Sequence, residues 1–233
     1  MQTHIRSFVP AVALGFLLTC SMAHAQLMLS GHTTGSFTHL GEANTTVTNA
    51  ADGSSASFYT GIPVSGSTQS SIVFTNQSFV NVGSGDPIQV GLFTITNGET
   101  EIGSAAPTAM FNLGLDLTSP TMEALALAPI TFSIDNTVNH PDSGVPDIFS
   151  VSYTQPAPVM IGGYLASFHI NFSPAEFSVH ENTTVEKGDV TVTFTAVPEP
   201  STYAACGAAL LLGLVAYRRL RAERGLPSGL AGA

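Results

Sequence analysis

The strongest structural signal in this chain is an alternation of apolar and polar residues with a period of two. The segment DVTVTFTAV at 189–197 places Val190, Val192 and Phe194 on one side and threonines on the other. The same alternation recurs in MFNLGLDL (110–117), ITFSIDN (130–136) and SFHINFS (167–173). Successive side chains of a strand point to opposite faces, so this pattern predicts half-buried β-strands.

The alternating segments are short, and turn-forming sequences separate them. About ten such segments occur between residues 27 and 196, with turn signals such as NG at 97–98 and GSGDP at 83–87 between them. Only TMEALALA at 121–128 could be read as helical. Strands this close together cannot be joined by crossover helices, so the sheets should be antiparallel. We therefore expect an all-β fold, an antiparallel two-sheet β-sandwich or jelly roll.

The central region has an acidic charge balance. Between residues 26 and 197, Lys187 is the only basic residue against 14 carboxylates, a net charge of −13. Such a surface repels nucleic acid, which we exclude as a partner, and it attracts divalent cations and basic polymers. The alternative is that the charge only keeps the protein soluble.

The first 25 residues have the three parts of a secretory signal peptide. A short polar start with Arg6 is followed by an apolar run from Phe8 to Cys20 and then by Ala23-His24-Ala25. A positive start, an apolar core and an A-x-A site are the features of a cleavable signal. The alternative is a buried first helix, although core helices rarely end at such a site. We expect a secreted mature chain that begins near Gln26, with Ala23 and Ala25 at the cleavage site.

Near the other end of the chain, an apolar run follows a proline pair. Pro198 and Pro200 cannot lie in a central strand or within a helix, so they predict a short stiff spacer after the sandwich. The apolar run at 203–217 would form a helix about 22 Å long, against a hydrocarbon core of about 30 Å. It is therefore marginal as a permanent transmembrane anchor. The alternative, a soluble amphipathic helix, lacks a polar face because residues 204–216 have only Cys206 as a polar candidate.

An arginine cluster follows the apolar run directly. Arg218, Arg219 and Arg221 are predicted stop-transfer residues that keep the C-terminal tail, 222–233, in the cytoplasm and the body outside.

The order of these terminal features resembles the PEP-CTERM sorting signal of Gram-negative bacteria. The matching residues run from Val197 through Pro198-Glu199-Pro200 to the apolar run and the arginines, and the signal is assigned to 197–221. The resemblance implies that a membrane-embedded peptidase, exosortase, cuts near Pro198, Glu199 and Pro200. The body is then released or transferred to the surface of a cell that makes extracellular polysaccharide. One departure is the added tail AERGLPSGLAGA after the arginines.

The body, assigned to residues 26–196, resembles the choice-of-anchor K family. The resemblance rests on short stretches: SGHTTGSF (30–37), SFYTGIP (57–63), SIVF (71–74), VGLFTITNG (90–98), FNLGLDL (111–117), and DNTVN (135–139) followed by Asp147. The family has no established biochemical activity. The resemblance therefore implies a fold and a surface location, not a mechanism.

The sequence offers no catalytic constellation. The body contains no cysteine, because Cys20 and Cys206 both lie in the terminal apolar segments, and it has no G-x-S-x-G motif. Two carboxylates could converge as in a glycosidase, but the chain has no tryptophan on which a sugar could stack. We expect a protein that is not an enzyme and that holds no organic cofactor.

Calcium is the one candidate ion. The loop DNTVNHPDSGVPD at 135–147 gathers oxygen-bearing side chains, of which Asp135, Asn136, Asp142 and Asp147 are the predicted ligands. Calcium takes six to eight oxygens from carboxylates, amides and backbone carbonyls. The alternative is turn chemistry, because aspartate and asparagine bond to their own backbone and tolerate the left-handed conformation.

Two classes of function remain. In the first, the body is a structural or matrix-interaction module at the cell surface. In the second, it binds an extracellular ligand, with a polysaccharide as the favoured partner or with calcium in the site. A sugar-binding face exposes aromatic rings in a row, so the second class predicts that Tyr59, Tyr153 and Tyr164 lie together.

Overall fold

A computed structural model describes residues 26–38, 40–137, 145–198 and 200–224. The described residues form fifteen β-strands and one helix: β1 (Met28–Thr38), β2 (Thr45–Asn49), β3 (Ser55–Thr60), β4 (Ser70–Asn76), β5 (Ser78–Gly83), β6 (Pro87–Gln89), β7 (Gly91–Asn97), β8 (Thr108–Ser119), β9 (Glu123–Asp135), β10 (Asp147–Tyr153), β11 (Val159–Ile161), β12 (Tyr164–Asn171), β13 (Glu176–Val179), β14 (Thr183–Lys187), β15 (Thr191–Pro198) and α1 (Pro200–Arg224).

The strands pair in three antiparallel sheets. A six-stranded sheet has the order β13-β10-β9-β8-β1-β5, a five-stranded sheet has the order β14-β7-β4-β3-β2, and a four-stranded sheet has the order β11-β12-β15-β6. The prediction of an all-β, antiparallel fold is confirmed. The sequence indicated about ten strands, fewer than the structure has, because three-residue strands such as β6 and β11 are too short to show an alternation.

The four-stranded sheet adjoins the five-stranded sheet along the chain. Only Val90 separates β6 from β7, and its backbone N–H donates to the carbonyl of Val190 at 2.8 Å. The next residue, Gly91, has φ of +128°, and a Cβ there would lie 2.2 Å from the carbonyl oxygen of Thr75. The sequence predicted two sheets. Because of this break between β6 and β7, the strands form three.

Phenylalanine rings join the six-stranded and five-stranded sheets face to face. The ring of Phe111 on β8 lies 4.8 Å from that of Phe74 on β4 and 5.1 Å from that of Phe93 on β7, measured between centroids. Phe132 on β9 lies 5.5 Å from Phe93. Apolar side chains from the two inner faces therefore interdigitate, as in a sandwich-like architecture.

The residues from Leu27 to Ala196 form one compact unit. Among the described residues, every buried hydrophobic side chain of the core, from Leu27 to Phe194, lies within these bounds. The unit therefore contains its whole core, and we expect residues 27–196 to fold on their own.

The segment at 121–128 is not helical. Residues from Glu123 onward belong to β9, and the register between β8 and β9 shifts at Leu113/Gly114. At this bulge Leu127 and Ala128 are both buried, so the alternation changes phase. That change of phase hid the strand in the sequence.

The sorting motif lies at the boundary between the last strand and the helix. Pro198 ends β15 and Pro200 begins α1, a position where the fixed φ of proline suits the first helical turn. The helix continues through Arg218, Arg219 and Arg221 to Arg224.

Several terminal predictions lie outside the described residues. These are the signal peptide with Ala23 and Ala25, the residue Glu199, and the tail beyond Arg224. Within the described part of the chain, no helix combines the length and the apolar character that crossing a bilayer requires.

Candidate functional site

Asp147, a predicted calcium ligand, is a buried residue that holds the connection between β9 and β10 together. It is only 3% exposed, and its Oδ1 atom accepts a hydrogen bond from the backbone N–H of Thr137 at 2.7 Å. The Thr137 hydroxyl lies 2.9 Å from the same oxygen and 3.1 Å from the carbonyl oxygen of Val145. The carboxylate thus links the end of the loop to its beginning, which is the bonding that turn chemistry predicts.

The other predicted calcium ligands are not gathered around Asp147. Asp135 pairs in register with Ile148 and is exposed, so its side chain points to the opposite face of the sheet from that of Asp147. Asn136 shares with Asp147 the lining of a cavity of about 60 Å³. Asp142 lies outside the described residues.

Within the described ranges, no three histidine, cysteine, aspartate or glutamate side chains are grouped so that they could hold a metal. The calcium site stays a prediction.

Glu181, which sequence reasoning did not single out, has a carboxylate whose surroundings disfavour its ionised form. Among the described residues, its Oε1 atom is buried without a hydrogen-bond partner. Burial raises the pKa of the Glu181 carboxyl, and the negative charges of Glu99 and Asp147 raise it further. These three residues are far apart in sequence, so no spacing pattern could have brought them together.

We expect Glu181→Gln to stabilise the protein at neutral pH by up to about 1 kcal/mol, a small gain because the side chain is only partly buried. The folded-state pKa is raised, so the ionised carboxylate disfavours folding above its ordinary pKa, and this penalty disappears as the pH falls below that value. Urea unfolding at a series of pH values measures the difference. Glu123→Gln, at an exposed residue that begins β9, is the control. A gain that persists unchanged in acid would contradict this explanation.

The three tyrosines of the body do not form a row. Tyr59 points outward from β3 in the five-stranded sheet, Tyr153 lies on β10 in the six-stranded sheet, and Tyr164 lies on β12 in the four-stranded sheet. Tyr153 and Tyr164 pack against the core. The aromatic row that would have favoured sugar binding is therefore not present at these residues.

The outer surface of the five-stranded sheet has a distinct composition. Along its strands, alternate side chains face the core and the others face solvent. Ten of the thirteen outward side chains carry a hydroxyl group, and one is charged. We call this set the hydroxyl face: Thr46, Thr48, Ser55, Ser57, Tyr59, Ser71, Val73, Thr75, Leu92, Thr94, Thr96, Thr184 and Glu186.

The strand register aligns these hydroxyl groups in rows. One row crosses all five strands as Thr184, Thr96, Ser71, Tyr59 and Thr46. The hydroxyl oxygens of Thr96 and Thr184 are 3.0 Å apart and share a hydrogen bond. Neighbours in a row are about 4.8 Å apart and successive rows about 6.8 Å apart, as strand geometry requires. The result is a regular two-dimensional array of groups that can both donate and accept hydrogen bonds.

The six-stranded sheet also carries charged side chains on its outer face. Its outer face carries the carboxylates of Asp116, Asp135 and Glu176. The one basic residue of the body, Lys187, does not lie on the hydroxyl face, because its ammonium sits 4.4 Å from the centroid of the inward-facing Phe177 ring.

The edge strand β2, which contributes Thr46 and Thr48 to the hydroxyl face, carries no charged side chain. Its sequence is TTVTN, and a cleft of about 390 Å³ lies beside it, lined by Phe37, Thr45, Thr46, Val47 and Asn49. The side-chain amide of Asn49 accepts from the N–H of Phe37 at 2.8 Å and donates to its carbonyl at 2.9 Å. Soluble proteins commonly protect such edges with charged side chains, and β2 has none.

The chain matches no protein-family model and no curated protein sequence.

Proposed function

We propose that this protein is secreted, sorted to the cell surface and processed at Pro198-Glu199-Pro200, and that its body is a non-catalytic structural or matrix-interaction module. The observation that carries the proposal is the position of the motif. It falls where β15 ends and α1 begins, directly after a compact unit that ends at Ala196.

Cleavage at this position would leave the body intact. The last core residue, Phe194, precedes the motif, and the first, Leu27, follows the proposed signal cleavage after Ala25. Both proposed cuts therefore lie outside the described core, which runs from Leu27 to Phe194. The product is an antiparallel sandwich or jelly roll of the choice-of-anchor K type.

The terminal segments supply the partners. The signal peptide directs export, and the apolar run 203–217 holds the chain at the inner membrane, with Arg218, Arg219 and Arg221 as the stop-transfer residues. Exosortase is the processing partner. This arrangement accounts for an apolar run that is marginal in length, because it retains the protein only until the cut.

The alternative function is that of an extracellular carbohydrate-binding module. The hydroxyl face favours it, because a broad uncharged surface with regular hydroxyl groups suits a polyhydroxylic ligand.

We expect alanine at all three positions, Pro198, Glu199 and Pro200, to block processing. In a Gram-negative host that carries an exosortase, the variant should accumulate as uncut precursor in the membrane fraction, whereas the wild type is found as cut protein at the surface. Glu176→Ala, which changes an exposed glutamate of the body, is the control and should be processed normally. Immunoblots of fractionated cells measure both forms, and a triple variant that is cut as fast as the wild type refutes the proposal.

A further inference from the structure

The hydroxyl face consists mostly of neutral hydroxyl side chains, although the body as a whole is acidic. The region 26–197 carries a net charge of −13, yet only Glu186 is charged among the thirteen outward side chains of the face. With ten hydroxyl groups and one charge, this face can bind a partner by hydrogen bonding rather than by charge pairing.

The charges of the body exclude two classes of partner for this face. An anionic polymer would be repelled by the net negative charge, and none of the thirteen outward side chains is a cation that could pair with it. A basic protein would need carboxylates, of which the face offers one. The complementary partner is uncharged and can both donate and accept hydrogen bonds.

The centre of the face combines hydroxyl groups with apolar surface. In the row already described, Tyr59 lies between Ser71 and Thr46. In the next row, Val73 lies between Thr94 and Ser57. An aromatic ring with a polar tip offers both apolar contact and a hydrogen bond. Sugar rings, which have apolar faces and hydroxyl edges, match that combination, and an extended polymer could repeat the contact from strand to strand over about 19 Å.

We propose that the hydroxyl face binds a neutral polysaccharide laid across its rows. The inference rests on the proposed function in one respect, since surface sorting is what brings the body to extracellular polysaccharide. The ligand is recognised by hydroxyl hydrogen bonds and by contact with Tyr59 and Val73, without charge pairing and without a metal.

The binding assay uses residues 27–196, the unit that contains the whole core, and two neutral probes, amorphous cellulose and dextran-coated beads. Depletion of the protein from solution gives the affinity. We expect binding to at least one neutral probe, unchanged by added salt or by a calcium chelator because no charges are paired. Alginate, an anionic polysaccharide, should not bind.

A matched pair of variants locates the site. Thr94→Glu with Ser57→Glu flanks Val73 on the hydroxyl face, and Thr38→Glu with Thr131→Glu flanks Met110 on the outer face of the six-stranded sheet. Both add two negative charges next to an apolar side chain at the surface. The first should weaken binding at least about tenfold, because two hydroxyl groups that donate and accept are replaced by larger, charged side chains that only accept. The second should bind like the wild type.

A second variant tests whether a loss of binding comes from the missing hydroxyl groups rather than from misfolding. Thr94→Val with Thr96→Val keeps the approximate shape and the β-branching of both side chains and replaces each hydroxyl group by a methyl group. Circular dichroism should show an unchanged fold, and binding should fall about three- to tenfold.

Four outcomes overturn the inference: binding to neither neutral probe; equal weakening by the two glutamate pairs; full binding by the valine variant; and binding to alginate alone, dependent on calcium. Concentration-dependent dimers that the Thr94 and Ser57 pair abolishes, without polysaccharide binding, would assign the face to a second copy of the chain. Any of these results leaves the processing of the tail untouched, so failure here is distinguishable from failure of the proposed function.

Discussion

Replacement of Phe111 by alanine is expected to lower the free energy of unfolding of residues 27–196 by about 3–5 kcal/mol. Phe111 is fully buried, and its ring lies within 5.1 Å of the rings of Phe37, Phe74 and Phe93. It therefore joins the six-stranded sheet to the five-stranded sheet. Gly35 makes room for it, because a Cβ there would lie 2.1 Å from the ring.

Urea unfolding followed by circular dichroism measures this loss. Phe177→Ala is the matched control, because Phe177 is half-buried on the edge strand β13, where its ring stacks on that of Phe149 at 5.6 Å and lies next to the Lys187 ammonium. We expect it to cost about 1–2 kcal/mol, since less apolar surface is removed from the core. If the two substitutions cost the same, the rings of Phe111 and its neighbours do not hold the sheets together.

Asp147→Ala is expected to lower the free energy of unfolding by about 2 kcal/mol, because the N–H and the hydroxyl of Thr137 both lose their buried acceptor. Asp147→Asn keeps an oxygen acceptor and should cost less. Asp135→Ala, at an exposed residue on the opposite side of the same sheet, should cost little. Thermal melting of the four proteins measures the order. An Asp135 variant as unstable as the Asp147 variant would contradict the structural role given to Asp147.

The same melts, repeated with millimolar calcium and with a chelator, test the calcium prediction. A ligand that binds only the native state stabilises it by about 2.7 kcal/mol at a hundredfold excess over its Kd. Calcium at the loop should raise the Tm of the wild type, and Asp142→Ala and Asp147→Ala should each reduce that shift. An equal shift in all three proteins would reflect general screening of the acidic charge. No shift in the wild type leaves turn chemistry as the explanation of the loop.

Much of the fold follows from local sequence. The alternation around Val192 and Phe194 predicts β15, and the turn signals separate the strands where the structure does. Two features could not be read in this way. The bulge at Leu127 and Ala128 breaks the period of β9, and the interruption at Gly91 depends on the approach of the Thr75 backbone.

The candidate surfaces were harder to predict, because they depend on which strands become neighbours. The outward threonines of β7 are visible as the pattern TIT, but their alignment with Thr184 and Ser71 follows from pairings between strands distant in sequence. The same holds for Glu181, whose pKa is raised by burial and by the carboxylates of Glu99 and Asp147, which are distant in sequence. The predicted ligands Asp135 and Asp147 are 12 residues apart, yet the register puts their side chains on opposite faces.

The intact mass of protein extracted from the surface of an exosortase-positive host tests the central claim most directly. A secreted, processed protein should begin near Gln26 and end close to Pro198-Glu199-Pro200, without the apolar run 203–217. A mature species that still contains residues 203–217 in such a host would contradict the claim that the tail is a processed sorting signal.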